Sequence, residues 1–114
     1  MRIVRDRITL TELTNLARQS FGDLTKAVVD IDREIMAVGA DFHADEEAAL
    51  LDDGSRQAAL WGINLYPDAH GDTDWVEFDS LINLRPGQGN RTRSVDDPST
   101  RERIAAVVDR LVAP

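Results

Sequence analysis

The stretch that decides the fold is residues 26–39, which read KAVVDIDREIMAVG. Its first half is rich in β-branched side chains and alternates with polar ones, which predicts a β-strand over Lys26–Asp32. Its second half predicts another strand over Glu34–Val38, closed by Gly39. We expect both to belong to an antiparallel meander.

The residues before this stretch predict a helix from about residue 10 to residue 20. Thr9 and Glu12 form a Thr-x-x-Glu capping box, in which each side chain satisfies a free backbone N–H of the first turn. Apolar side chains then recur at helical spacing as far as Gly22, a typical helix terminator. Ahead of the helix, Ile3-Val4 predicts a short strand.

After the central stretch, Ala44–Leu51 is rich in Ala, Glu and Leu and predicts a short helix with Asp45 as its N-cap. Asp53-Gly54 is also a hairpin signal, so a hairpin in this region stays an alternative. Leu60–Tyr66 then predicts a strand that Pro67 ends.

Trp75–Arg85 alternates most regularly and predicts the clearest strand, with Val76, Phe78 and Ile82 on one face and polar side chains on the other. Asp97-Pro98 then predicts the start of a final helix, because an acidic N-cap is followed by proline at the first helical position.

These elements predict an α+β fold, a two-layer sandwich with a mostly antiparallel four-stranded sheet. The N-terminal and C-terminal helices pack on one face of the sheet, and the other face is expected to be open. Residues 1–114 are expected to form a single domain.

The composition excludes several classes of protein. The 114 residues contain no cysteine, which rules out disulfide scaffolds and thiolate chemistry. A formal net charge of −8 disfavours a nucleic-acid partner, because nonspecific binding depends on neutralising phosphates. No apolar run is long enough to span a bilayer. We therefore expect a cytoplasmic protein with no nucleic-acid or membrane partner.

Several stretches together resemble a known family. In order they are VDI (29–31), HADEE (43–47), DGS (53–55), LWGINLYP (60–67), EFDSLIN (77–83) and RPGQGNR (85–91). The set resembles a small prokaryotic family described only as domain of unknown function 5674. The resemblance covers nearly the whole chain and implies a shared fold and a shared surface, but it implies no activity.

The polar loop from Arg85 to Asp97 is the first candidate site. It is longer than a usual connection, and long loops are often functional. Its arginines offer planar forks suited to carboxylate or phosphate, and its amides offer further donors. The candidate ligand-binding residues in or beside it are Asn83, Arg85, Gln88, Asn90 and Arg91. The alternative is a surface loop whose arginines pair with the surplus acids.

The second candidate is the cluster of His43, Asp45, Glu46 and Glu47. An imidazole with neighbouring carboxylates is a donor set for a divalent metal, or a general base. We expect first that the protein binds no metal or other cofactor. If it does bind a metal, the candidate ligands are His43, Asp45 and Glu47. The alternative is that the acids only favour the positive end of a helix.

The third candidate is the open sheet face, where alternation places Glu77, Asp79, Asn83 and Arg85 on one side of their strand. Asn64 and Asp30 join them if the strand register permits, and the alternative is a solvated outer face. The function expected first is a binding or interaction module for a small anionic ligand or a partner protein, with a homodimer as an open alternative. The second is a small metal-assisted hydrolase built on the His43 cluster. The third is an acidic inhibitor of a basic protein. A pocket shared by His43 and the Gln88–Arg91 part of the loop would favour an enzyme, whereas their placement on opposite faces would favour a binding module.

Overall fold

The computed structural model describes residues 1–114 and contains three α-helices, a five-stranded sheet and a separate two-stranded sheet. The helices are α1 (Leu10–Gln19), α2 (His43–Asp52) and α3 (Pro98–Leu111). The strands are β1 (Arg2–Val4), β2 (Ile8–Thr9), β3 (Thr25–Asp30), β4 (Ile35–Val38), β5 (Leu60–Leu65), β6 (Val76–Glu77) and β7 (Val112–Ala113). None of the helices is long and apolar enough to cross a membrane.

The large sheet has the order β1-β4-β3-β5-β6, and every neighbouring pair is antiparallel. The predicted α+β class and mostly antiparallel sheet are therefore confirmed. The sheet has five strands rather than four, because Ile3-Val4 pairs with β4 at one edge. The small sheet joins β2 to β7 in parallel and so connects the two ends of the chain.

The helix ends follow the predicted capping chemistry. Thr9 Oγ1 accepts the Glu12 N–H at 3.1 Å, and Glu12 Oε1 accepts the Thr9 N–H at the same distance. Asp97 caps α3 by accepting the Ser99 N–H. Both predictions are confirmed, because these side chains hold backbone groups that the helix itself leaves free.

The turn between β3 and β4 is built by a buried acid. Asp30 Oδ1 accepts the N–H groups of Asp32 and Arg33 at 2.8 and 3.0 Å. The side chain of Asp30 is fully buried. The predicted strand over Lys26–Asp32 therefore ends at Asp30. Beyond it, the Asp30 carboxylate takes the backbone N–H groups of the next residues and forms a turn.

The two faces of the large sheet have separate apolar clusters. Side chains of α1 and α3, including Leu13, Ile104 and Leu111, pack on one face, as predicted. Leu50 of α2 packs with Val28 and neighbouring apolar side chains on the other face. The second face, expected to be open, is thus partly covered by α2.

The predicted long strand over Trp75–Arg85 is wrong, because β6 pairs with β5 only through Val76 and Glu77. Ser80 lies so close to Gly62 that a Cβ on Gly62 would be 2.5 Å from Ser80 Cβ. The Ser80 hydroxyl then accepts the Ile82 N–H and begins a 3₁₀ turn over Leu81–Asn83. Side-chain hydrogen bonding thus overrides the alternating pattern.

The region after β4 is the predicted helix and not a hairpin. Its N-cap, however, is Phe42 rather than Asp45, which lies inside the first turn. Asp53-Gly54 ends the helix, and Gly54 has φ of 103°. A left-handed residue after a helix is a common terminator, which explains why the sequence resembles a hairpin turn here.

Candidate functional site

A cavity of about 150 Å³ lies where α2 begins against the large sheet. Its polar lining comes from Lys26 of β3, His43 of α2, Ser80, and Arg93 of the polar loop. Phe42 and Leu81 belong to its apolar lining. The volume equals that of about five water molecules in the liquid, so it accommodates a small polar group.

The N-terminus of α2 opens at this cavity. Phe42, the N-cap, has extended backbone angles of −131° and 137°, and no side chain caps the helix. His43 and Ala44, the first two helical residues, both line the cavity. The N–H groups of an uncapped first turn and the positive end of the helix dipole together favour an anion.

His43 is held in one orientation against the sheet. Its side chain is buried, with the residue 7% exposed, and Nε2 lies 2.7 Å from the carbonyl oxygen of Ile63. Because a carbonyl only accepts hydrogen bonds, Nε2 carries the proton and Nδ1 has a free lone pair. Burial lowers the pKa of His43, so the ring is neutral at pH 7.

Lys26 and Arg93 supply the positive charge. Lys26 is the single lysine of the chain and forms no ion pair. Its Nζ lies 5.2 Å from the centre of the Phe21 ring. Arg93 donates from Nε to Asp79 Oδ1 at 2.8 Å, and this is its one side-chain hydrogen bond. The two Nη groups of Arg93 remain available to a ligand.

Most of the polar loop has a structural role. The Asn83 amide donates to the Gly62 carbonyl and accepts the Gly62 N–H, both at 2.9 Å. Arg85 donates to the carbonyls of Gln57 and Leu60, and Gln88 donates to the carbonyl of Ala58. We call residues 83–90 the polar strap, because its side chains bind the backbone along and just before β5. Of the loop's arginines at positions 85, 91 and 93, only Arg93 pairs with an acid as the alternative predicted, and the strap's partners are backbone groups.

Asn90 fixes the strap itself. Its Nδ2 donates to the carbonyls of Asn83, Thr92 and Ser94, and its Oδ1 accepts the N–H of Asp96. The residue is only 4% exposed, so no surface is left for a ligand.

Arg91 differs from the other candidates of the loop. Its guanidinium has no hydrogen bond or ion pair within the chain, and the residue is exposed. It does not line the cavity.

Asn64 lies in a row of polar side chains that crosses the sheet face partly covered by α2. It stands directly opposite Lys26 on β3 and Glu77 on β6. Its Nδ2 donates to Glu77 Oε1 at 2.8 Å, and the Tyr66 hydroxyl donates to the same oxygen at 3.1 Å. The row is polar as predicted, but Asn64 itself is buried.

The acidic cluster after His43 does not converge. Nowhere does the structure bring together three or more His, Asp or Glu side chains that could hold a metal ion. Asp45 is exposed, whereas Glu46 is fully buried and accepts the Ala40 N–H at 3.1 Å. Helical geometry separates them, because Asp45 and Glu46 are neighbours and point to different sides. The hydrolase and the roles of Asp45 and Glu47 stay predictions from the sequence.

The family of the chain follows from its sequence. A family model described as "Protein of unknown function (DUF5674)" matches residues 2–111. The chain belongs to this family. Searches among curated proteins and among solved structures found no match. The family resemblance predicted from the motifs is therefore confirmed. Because the family has no described function, membership implies no activity for this chain.

Within this DUF5674 chain, three of the stretches on which the resemblance was based lie at two places. His43 of the HADEE motif and Ser80 of the EFDSLIN motif line the cavity, while the RPGQGN residues form the strap. His43 and Arg93 do share one pocket, but Gln88 and Arg91 lie outside it.

Sequence reasoning missed Lys26, Phe42 and Ser80 as site residues, and the alternating pattern placed Ser80 on the core face. The one available signal for Lys26 was that it is the single lysine among 12 arginines, here at the start of a mostly buried strand. Phe42 carried no signal, because an apolar residue at a helix start becomes informative only when the N-cap position is known.

Proposed function

We propose that this protein is a binding module that holds a small anionic ligand in the cavity at the N-terminus of α2. The observation that carries the proposal is the uncapped N-terminus of α2 opening into a cavity that Lys26 and Arg93 also line. The helix N-terminus, Lys26 and Arg93 each offer N–H donors together with positive charge, so all three favour an anion.

The local charge of the cavity differs from that of the whole chain. The net charge is −8, yet the residues that line the cavity include two cations and no acid. Asp79 pairs with Arg93 from outside the lining, and Lys26 has no acidic partner. Glu46 is the one fully buried acid of α2, and burial keeps it protonated by raising its pKa to about 9. An anion in the cavity therefore meets mainly donors and cations.

His43 and Ser80 supply the neutral contacts. The Ser80 hydroxyl accepts the Ile82 N–H, which leaves its own proton to donate to a ligand. The free Nδ1 of His43 can accept a hydrogen bond from a ligand hydroxyl, such as that of hydrogen phosphate. The cavity thus suits an oxyanion of carboxylate or phosphate type.

The test is a titration of the ¹⁵N-labelled protein with sodium phosphate and with sodium acetate at pH 7 and low ionic strength. We expect saturable shifts of the amide signals of His43, Ala44 and Asp45 for at least one anion. Lys26→Met should weaken that binding about tenfold, because it removes a charge and keeps an apolar stem.

Arg91→Gln is the matched control, because it removes an exposed cation from the same loop that does not line the cavity. It should leave binding within about twofold of the native protein. The proposal is overturned if neither anion shifts these amides, or if Arg91→Gln weakens binding and Lys26→Met does not.

A further inference from the structure

We propose that the ligand of this site is an amphiphilic organic anion, whose charged group enters the cavity and whose apolar body lies on Phe42 and Leu81. This rests on the proposed function and adds the chemical class of the ligand.

The mouth of the cavity carries unusually exposed apolar side chains. Phe42 is 65% exposed and Leu81 is 66% exposed, and both line the cavity. They are the two most exposed of the six large apolar side chains at the surface. Large exposed apolar groups are costly in water, and their concentration at one place marks a binding surface.

A third apolar side chain extends this surface. Phe21 is 45% exposed, and the Lys26 ammonium lies 5.2 Å from the centre of its ring. Three of the six exposed large apolar side chains are thus associated with one cavity and its lysine. We call Phe21, Phe42 and Leu81 the apolar rim.

The size of the cavity separates the two parts of the ligand. A volume of about 150 Å³ accommodates a carboxylate or phosphate group, together with a little water. An attached ring or chain has to extend out of the cavity and over the apolar rim. The buried interior offers the polar atoms of His43 and Ser80, so the charged end is the one that enters.

The experiment compares anions that carry the same type of charged group with different apolar bodies. Phenyl phosphate is measured against inorganic phosphate, and benzoate against acetate, by the same amide titration. In the native protein we expect the aromatic member of at least one pair to bind about tenfold more tightly, since part of its ring leaves water.

Phe42→Ala and Leu81→Ser should each reduce this preference, measured as the ratio of the two affinities within each pair, by about threefold or more. Leu51→Ser is the matched control, because Leu51 is another exposed leucine that does not line this cavity. It should leave the preference unchanged.

The outcomes separate the two proposals. If phosphate or acetate binds at α2 but neither aromatic anion gains affinity, or if the gain survives Phe42→Ala and Leu81→Ser, the apolar rim has no role in binding and the ligand class is wrong. If no anion shifts the first amides of α2, the binding function itself fails. Shifts confined to other residues overturn both.

Discussion

Asn83 and Arg91 belong to one polar segment, but their side chains have opposite surroundings. The Asn83 amide is fully buried and completes hydrogen bonds to both backbone groups of Gly62 and to the Arg93 carbonyl. The Arg91 guanidinium has no partner within the chain. A buried amide that satisfies backbone groups is expensive to remove, whereas an exposed side chain is not.

We therefore expect Asn83→Ala to destabilise the protein by about 3 kcal/mol, since it leaves the Gly62 N–H and carbonyl without partners. Arg91→Ala should stay within about 0.5 kcal/mol of the native protein. Urea unfolding followed by circular dichroism measures both. Equal effects of the two substitutions would contradict the structural role of the strap.

The buried surroundings of Glu46 allow a quantitative prediction of how stability depends on pH. Burial raises the pKa of its carboxyl to about 9, against smaller opposing effects from the Ala40 N–H and from Lys26. In the unfolded chain the group ionises near 4.5. Between these values the folded protein binds the extra proton, so this contribution to stability decreases as the pH rises.

Between pH 6.5 and 8.5 the surface aspartates are ionised in both states, and the lowered pKa of His43 makes only a small opposing contribution near pH 6.5. We expect the native protein to lose about 2–3 kcal/mol of stability across this window. Glu46→Gln should remove most of that loss and be more stable than the native protein at pH 8.5. Urea unfolding at both pH values tests this, with Glu102→Gln as the exposed control. A parallel pH dependence of Glu46→Gln and native protein would refute the assignment.

At the scale of elements, α2 differs from the other two helices in having no side-chain cap. The extended conformation of Phe42 is the one that a capping Asp or Ser adopts. Little apolar burial would be lost on replacing it, since Phe42 is largely exposed. The chain therefore lacks the stabilisation that a capping side chain at position 42 would provide.

Phe42→Asp should stabilise the protein by about 1 kcal/mol, because the carboxylate accepts free N–H groups and interacts favourably with the helix dipole. The same substitution should abolish phosphate or acetate binding, because it occupies those N–H groups and adds a negative charge. Thermal unfolding and the amide titration measure the two effects. The control is Phe42→Ala, which adds no cap and should not be more stable than the native protein. If Phe42→Asp binds anions as the native protein does, the helix end is not the site.

At the scale of the whole molecule, ion pairs connect segments that are distant in sequence. Asp53 Oδ1 and Oδ2 accept Arg5 and Arg33 at 2.6 and 2.8 Å. Arg56 and Arg103 both pair with Asp32. Two of these four arginines, Arg5 and Arg103, lie near the chain ends and pair with acids nearer its middle, and Arg33 and Arg56 pair with the same two acids.

Asp53 makes this arrangement dependent on pH. The Arg5 and Arg33 side chains lower the pKa of its carboxyl to about 2, so its stabilising effect is present above its ordinary value of 3.8 and is lost as the pH falls towards 2. We expect Asp53→Asn to lower the melting temperature at pH 5. The gap from the native protein should close by about pH 2. A gap that persists at pH 2 would show that the loss is one of packing and not of charge.

Much of the fold could be predicted from the sequence where local chemistry is self-contained. The capping box of Thr9 and Glu12 and the Asp97-Pro98 start define helices without help from distant residues. The segment after Trp75 could not be predicted, because its course depends on Asn83 meeting Gly62 across 21 positions. Tertiary contacts of this kind leave no mark in local periodicity.

The candidate site could be predicted only in part for the same reason. His43 was identified by its chemistry, and Arg93 by its loop, but their meeting with Lys26 depends on how α2 crosses the sheet. Asn83, Arg85, Gln88 and Asn90 have the composition of a ligand loop, although their partners turn out to be backbone groups of the same chain.

The polar strap has a consequence for how the protein behaves among its own copies. Beyond the two residues paired with β6, the outer side of β5 would present bare backbone donors and acceptors, a template on which another chain could add a strand. Side-chain amides and a guanidinium occupy those groups instead, and Arg85 also stacks 4.1 Å from the centre of the Trp61 ring. The strap therefore closes one edge of the sheet to intermolecular β-pairing, so the molecule remains resistant to edge-to-edge aggregation at concentrations where an open edge would associate.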